Sequence, residues 1–395
     1  MNDEAGIPPL WKQRWQQQQD LRLQRGLQRR RWVRQGGDAR YITLAGQRLL
    51  HFSSNDYMGL ATHPRLQRAF IRAAGDYGLG SSGSPLVSGY TRLHRHLEEA
   101  LARFTGRERA LVFSSGYQAN LGLLSGLTRH GDRLYQDRLN HASLIDAARL
   151  SRARLRRYRH GDIEQLDAWL GEGGSQSVAT VVSSDAVFSM DGDTAPLPEL
   201  AALCRCHDAL LMVDDAHGFG VRGEQGRGSL LAEGLDQQQV PLLMATFGKA
   251  LGGAGAFIAG PDTLIEAVLQ QARSYLYSTA LAPGLAAAAV EALKVLQEED
   301  WRHEHLQGLI ARFRHGAQQL GLKLLPSVSP IQPLIIGTSS AATQVGRRLR
   351  DAGLFVVPIR PPTVAEGSAR LRLSLNVLHR NEDIDRLLSC LETCL

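Results

Sequence analysis

The stretch PLLMATFGKALGG, residues 241–253, decides how the rest of this sequence is read. It begins as an apolar run, Pro241–Ala245, and passes directly into a small-residue turn that carries a lysine. The chain has 45 lysines and arginines in 395 residues; only Lys12, Lys249, Lys294 and Lys323 are lysine, which leaves 41 arginines. Where positive charge alone is needed, this chain uses a guanidinium. A lysine among glycines at a strand end offers what arginine does not: a primary amine that can lose its proton, attack a carbonyl and form an imine. A lone lysine is most simply a surface residue, so the weight given to Lys249 depends on what the other strand ends carry.

Working outward, the runs ALVFSS (110–115), RLYQD (133–137), ATVVSSD (179–185), ALLMVDD (209–215), PLLMATF (241–247) and GAFIAG (255–260) read as strands. Helical patterns lie between most of them. Apolar strands alternating with helices predict a mostly parallel, doubly wound α/β sheet. From about Pro283 the texture changes to two long helical stretches, then QPLIIGTS, a helix near 341–352, FVVPIRPPTV, the alternating ARLRLSLN and a last helix at 381–393. This predicts a smaller α+β domain. The expected organisation is a basic helical segment over 1–50, a large α/β domain over 51–285 and a small C-terminal α+β domain over 286–395. A short strand pair, RYITLAGQRLLHFS, straddles the first boundary.

Composition narrows the function classes. Apolar content of 43% with 21% charged residues is that of a globular protein, and no window supplies the roughly 18 apolar residues of a membrane span. The first twenty residues lack the apolar core of a secretory signal, and four cysteines do not make a disulfide framework or a metal site at these spacings. The expectation is a cytoplasmic protein with reduced thiols and no metal. The net charge of +6 resides in the first fifty residues, where ten basic side chains face four acids. The run RGLQRRRWVR has no interleaved aromatic beyond Trp32 and belongs to no recognisable nucleic-acid module, so an anionic small molecule or solvent is its expected partner.

In an open α/β sheet, ligands gather beyond the carboxyl ends of the strands. Those positions here are Ser114-Ser115-Gly116-Tyr117, Ser189-Met190-Asp191, Asp214-Asp215-Ala216-His217 and Thr246-Phe247-Gly248-Lys249. The turn in VFSSGYQANLGLL opens a helix, whose free amides and dipole form an anion cradle. Asp214, after LLMV, can keep a ring nitrogen protonated, with His217 bonding a neighbouring oxygen. An amine, an anion cradle, a carboxylate and a histidine together suit pyridoxal phosphate. The literal GLGSSG at 78–83 matches a dinucleotide fingerprint, but it follows a helical stretch instead of a strand, and Pro85 lies just beyond.

Seven segments carry a resemblance: FSSNDYMGL, GSPLVSGYTRLHRHLEEALARF, NHASLIDA, VFSMDGD, DDAHGFGVRGEQGRGS, TFGKALGG and IRPPTV. Together they resemble the α-oxoamine synthases, pyridoxal-phosphate enzymes of fold type I, from about residue 20 to the C-terminus. They look most like the branch that condenses alanine with a pimeloyl thioester on the way to biotin. Pro85 is a departure, because relatives often carry arginine there. The resemblance implies that Lys249 is the Schiff-base lysine and the base for the substrate Cα proton. Asp214 is similar to the partner of the pyridine nitrogen, His217 to the residue on the ring hydroxyl, and His141 to the histidine stacked on the ring. Gly116, Tyr117, Ser189 and Thr246 match cofactor-contacting positions. Asn55, Thr363 and Arg372 are similar to residues near the substrate, and Arg29 to an arginine that binds the acyl substrate.

Two assignments stay open at this stage. Arg360 and Arg370 compete with Arg372 for the substrate carboxylate, and Arg30 and Arg31 adjoin Arg29. The implied reaction joins L-alanine to the pimeloyl group with loss of CO2 and of the thiol, which belongs to coenzyme A or to a carrier protein. The implied assembly is a homodimer with its active sites at the subunit interface. The competing readings are a sister enzyme using glycine or serine with another acyl thioester, an aminotransferase, which would release no CO2, and a non-enzymatic nucleic-acid binder built on the arginine-rich N-terminus.

Overall fold

The computed structural model describes residues 6–172 and 178–395. Its centre is a seven-stranded sheet built from β4 (Arg109–Phe113), β5 (Arg133–Asp137), β6 (Arg154–Tyr158), β7 (Thr180–Asp185), β8 (Leu210–Asp214), β9 (Leu242–Thr246) and β10 (Ala256–Gly260), in the order β4-β10-β9-β8-β7-β5-β6. Only β10 runs against its neighbours; the pairs β5–β6, β5–β7, β7–β8 and β8–β9 are all parallel. Side chains alternate between two cores, as pleating requires. Leu211 and Val213 of β8 enter the larger one with Val182 and Leu243, whereas Met212 joins Val181, Leu242 and Met244 on the opposite face. Both faces are therefore covered, which is why these strands read as unbroken apolar runs.

Strand β6 is an addition to the expected set. RLRRY has three arginines in five residues, so it carries no apolar signal, yet it pairs along its whole length with β5 at the sheet edge. The N-terminal strand pair also belongs to more than itself. In a four-stranded sheet, β1 (Arg34–Gly37), β2 (Tyr41–Leu44) and β3 (Gln47–His51) are closed by β12 (Leu354–Phe355), which lies parallel to β3. The C-terminal region contributes a three-stranded sheet of β11 (Ile331–Gly337), β14 (Ala369–Ser374) and β13 (Pro358–Ile359). It also holds the long helices Pro283–Glu298 and Trp301–Gln319, and the helices Ser339–Asp351 and Asn381–Cys394.

The connections bring the strand ends to one edge of the large sheet. Because β10 is antiparallel to both β4 and β9, those two point the same way as β8 and β7. In register, Asp185 at the end of β7 lies beside Asp214, and Asp214 lies beside Met244, two residues before Thr246. The turn after β9 is closed by Gly252, whose φ of +66° suits glycine, and whose added Cβ would lie 2.2 Å from the backbone nitrogen of Ala61. The Lys249 turn therefore rests directly on the loop that follows Phe52.

Candidate active site

A cavity of about 200 Å³ opens at this edge, and its wall includes Gly116, Tyr117, His141, Ser189, Asp214, His217, Thr246 and Lys249. Eight of the twelve residues singled out in the sequence thus meet around one space, although they come from five separate segments. The helix Gly116–Leu127 starts at the cavity, and the Ser115 hydroxyl caps it by accepting from the amide of Gln118. A Cβ built on Gly116 would lie 3.8 Å from Thr246 and 3.9 Å from Met244, both of which line the cavity. The site therefore presents bare backbone at a helix N-terminus, the arrangement that receives an anion.

Asp214 is held on both oxygens. Asn120 Nδ2 donates to one at 2.8 Å and the amide of Ala216 to the other at 3.0 Å. Asp215 turns the other way, where the Ser229 amide and hydroxyl both donate to it, and burial pushes its carboxyl up to about 6. It is not part of the cavity wall. Of the two consecutive acids, only Asp214 addresses the cavity. Lys249 faces a balance of opposing influences. Burial lowers its ammonium to about 8, against the attraction of Asp214 and Asp185 and with the repulsion of Arg372.

The two cavity histidines are both disfavoured as cations. Burial lowers His217 well below its usual range, helped by Lys249, Arg372 and His141, and its Nδ1 shares a 2.8 Å hydrogen bond with the buried Tyr57 hydroxyl. Burial also lowers His141, whose Nδ1 caps the helix Ala142–Ser151 and meets the Ser143 hydroxyl at 2.7 Å. His141 is thus at once a helix-capping residue and part of the cavity wall.

Sequence reasoning passed over three members of this constellation. Asn120 is fully buried and bridges Asp214 to Ser143, yet the helix around it reads as apolar packing. Asp185 lines the cavity beside Asp214, and Tyr57 joins His217 to Asn55 and Arg372. The signals that point to Asn120 and Asp185 are a lone polar residue in NLGLL and an acid closing ATVVSSD.

Residues 47–391 match the family described as aminotransferase class I and II. The chain is 51% identical to an 8-amino-7-oxononanoate synthase of Marinobacter nauticus over 94% of both chains. It is 50% identical to that of Alcanivorax borkumensis over 95% of this chain and 97% of the other. It is a member of the class I and II aminotransferases, in the 8-amino-7-oxononanoate synthase family. Among solved structures it resembles a Sphingomonas wittichii serine palmitoyltransferase with a TM-score of 0.92 and 31% identity, covering 99% of this chain and 98% of that one. A serine palmitoyltransferase from S. paucimobilis with bound PLP–myriocin has a TM-score of 0.92 and 29% identity, with 98% of each chain covered. The 8-amino-7-oxononanoate synthase of Francisella tularensis has a TM-score of 0.76 and 30% identity, with coverage of 87% and 97%.

In this family member the three competing arginines have distinct surroundings. Arg360 donates to the carbonyls of Gly26 and Gln28 and ties down the N-terminal strap, residues 25–33, that precedes β1. Arg370 is committed to an ion pair with Asp191. Arg372, on β14, donates from Nε to the Ser189 carbonyl at 2.5 Å and from Nη1 to Asn55 at 3.1 Å and Ser374 at 2.8 Å. Among the described residues it has no carboxylate partner, although it is buried. Arg372 lies one contact behind the cavity wall, through Ser189, and Asn55 lies two contacts behind it, through Tyr57 and His217. Thr363 and Arg29 are elsewhere: both are exposed and line a separate groove of about 500 Å³ between the strap and the helix Ser339–Asp351.

Proposed function

We propose that the chain catalyses the pyridoxal-phosphate-dependent, decarboxylative condensation of L-alanine with a pimeloyl thioester. The products are 8-amino-7-oxononanoate, CO2 and free thiol, a step of biotin biosynthesis. The observation that carries this reading is an amine tuned to about 8 facing Asp214 and His217 in one cavity, in a chain half identical to curated 8-amino-7-oxononanoate synthases.

The cavity fits the cofactor. Two buried acceptors of its wall, Asn120 Oδ1 and Asp185 Oδ1, have no donor among the described residues, and Gly116 leaves an open cradle at a helix start. Bound there, pyridoxal phosphate supplies an electron sink for the amino-acid Cα. Lys249 is the amine that holds the cofactor aldehyde and the base that takes the Cα proton. Asp214, anchored on both oxygens, keeps the ring nitrogen protonated. His217, neutral, addresses the ring hydroxyl, and His141 covers the ring. Gly116 and Tyr117 receive the phosphate end, with Ser189 and Thr246 completing the contacts. Arg372, with Asn55 beside it, holds the alanine carboxylate, a role supported by its burial without an acidic partner. Arg29 and Thr363 belong to the acyl side, where Arg22, Arg25 and Arg30 also gather without ion pairs among the described residues.

The same proposal includes a homodimer with its sites at the subunit interface, and a division into residues 1–50, 51–285 and 286–395. It also includes residence in the cytoplasm, supported by four free cysteines. No described helix is long and apolar enough to cross a membrane. A sister activity with glycine or serine is the second reading, favoured by the likeness to serine palmitoyltransferases, but that likeness is 29–31% in identity against 50–51%.

Titration of the holoenzyme with amino acids, followed by visible absorption, separates these readings. The expected result is a yellow protein whose band responds to L-alanine at lower concentration than to glycine, with CO2 released once pimeloyl-CoA or a pimeloyl carrier protein is added. A stronger response to glycine assigns the sister activity. A colourless protein that pyridoxal phosphate does not reconstitute overturns the proposal.

A further inference from the structure

The loop that carries Ser189 is a tight one. Val187 bridges Thr194, the Phe188 amide donates to the Asp193 carbonyl at 3.0 Å, and the Gly192 amide donates to the Phe188 carbonyl at 2.7 Å. From the C-terminal region it is gripped by Ser327 and Ser329, both donating to the Gly192 carbonyl, and by Arg370 and Arg372. A second grip comes from a cluster that the chemistry above does not use. His160, just beyond the end of β6, meets Asp137 at the end of β5 through Nδ1 at 3.1 Å. Its Nε2 meets Asp193 in the Ser189 loop at 2.7 Å, and its ring stands edge-on to Phe188 with centroids 4.4 Å apart. One imidazole thus joins three separate strand-end segments.

Both ring nitrogens face carboxylate oxygens, and a neutral imidazole donates from only one of them. The second oxygen of Asp193 is buried without a partner, so the charge on this carboxylate is met through His160. Of the cations nearby, Arg159 pairs with Asp162 and Arg370 with Asp191, while Arg157 donates to the Arg138 carbonyl and adds an attraction to Asp137; His160 alone among the described residues hydrogen-bonds both Asp137 and Asp193. Burial works against a charge on His160, but Asp137 and Asp193 outweigh it and raise the ring to about 10.

We propose that His160, as an imidazolium clamped between Asp137 and Asp193, is a positioning residue for the amino-acid subsite. It fixes the loop 186–195 and, through the Ser189 carbonyl, the orientation of Arg372. This rests on the assignment of Arg372 to the alanine carboxylate. The clamp is complete below the ordinary histidine range and is lost only as pH rises through about 10. It therefore holds at neutral pH.

The test combines His160→Gln with Asp193→Asn, each read in two ways. In the cofactor-free chain, NMR of labelled histidine is expected to show one imidazolium that persists through pH 8 and vanishes in His160→Gln. Amide exchange at Phe188 and Gly192 is expected to quicken in both variants. In the holoenzyme, either substitution is expected to raise KM for alanine about tenfold, with kcat changed less than about threefold. A histidine at position 160 that titrates near its ordinary value, or variants whose KM for alanine is unchanged, overturns the proposal. If His160→Gln does not fold, the wild-type titration and Asp193→Asn still decide. If the wild type fails to condense alanine with a pimeloyl thioester, the reading of function fails, while the titration and exchange results judge the clamp on their own.

Discussion

Lys249 combines two demands that ordinarily conflict. A base and nucleophile has to be neutral part of the time, whereas a site containing Asp214 and Asp185 favours the ammonium. Burial resolves this by bringing the group to about 8, so roughly one amine in ten is free at pH 7, against one in a few thousand for an ordinary lysine. The rate at which the cofactor-free protein captures pyridoxal phosphate is therefore expected to rise with pH through about 8 and then level off. Stopped-flow absorbance checks this, and a flat profile from pH 6 to 9 contradicts it. Lys249→Arg keeps a cation but removes the titratable amine, and is expected to lower turnover by at least about a thousandfold. Near-normal turnover in that variant would remove Lys249 from the mechanism. Asn120 shows what residue types alone conceal. Its amide organises Asp214 from inside an apolar helix, and only a contact across 94 residues of sequence makes that role visible.

At the scale of elements, the strand ends were legible because a parallel sheet buried on both faces writes its strands as apolar runs, and chemistry follows at their carboxyl ends. Four such ends, with Gly116, Ser189, Asp214 and Lys249, stand out in the sequence and do converge. What escaped were elements whose partners are far away in the chain. Strand β6 is an arginine-rich edge, and β12 is two residues that join the N-terminal sheet from three hundred positions away. The distinction between Arg360, Arg370 and Arg372 also escaped, because it depends on partners and not on alternation. The turn after β9 makes a sharper claim. Gly252→Ala would place a carbon 2.2 Å from the Ala61 amide at a φ of +66°, and is expected to destabilise the fold by about 2–4 kcal/mol. Gly253→Ala, whose added carbon meets nothing closer than 3.7 Å, is the control and should change stability little. Thermal denaturation of the two variants measures the difference; equal melting temperatures would mean that the Lys249 turn and the Leu60–Ala61 loop are not in contact.

For the whole molecule, the question is what covers the mouth of the cavity. Leu79, Val87 and Tyr277 are 84%, 82% and 72% exposed, and Leu86 and Tyr90 are exposed beside them. These residues do not lie at random. Ser114 donates to the Thr279 carbonyl and Gln118 to the Ser278 hydroxyl, so the segment 277–281 borders the helix that opens at Gly116, and Ser81, donating to the Leu281 carbonyl, ties the segment 79–90 to it. Exposed apolar side chains clustered in this way are the surface that the proposed second copy would cover. A second copy with two-fold symmetry would present the same patch to itself and complete both cavities together. The chain is accordingly expected to sediment as a dimer at micromolar concentration. Val87→Glu, which buries a charge in that contact, is expected to shift it toward monomer and to lose activity in proportion. Leu395→Glu, at the far end of the last helix, should leave both unchanged. Sedimentation velocity and turnover measured on the same samples decide the matter: a Val87→Glu monomer with full activity would place the complete site within one chain, and a wild-type monomer would leave the apolar rim without a partner.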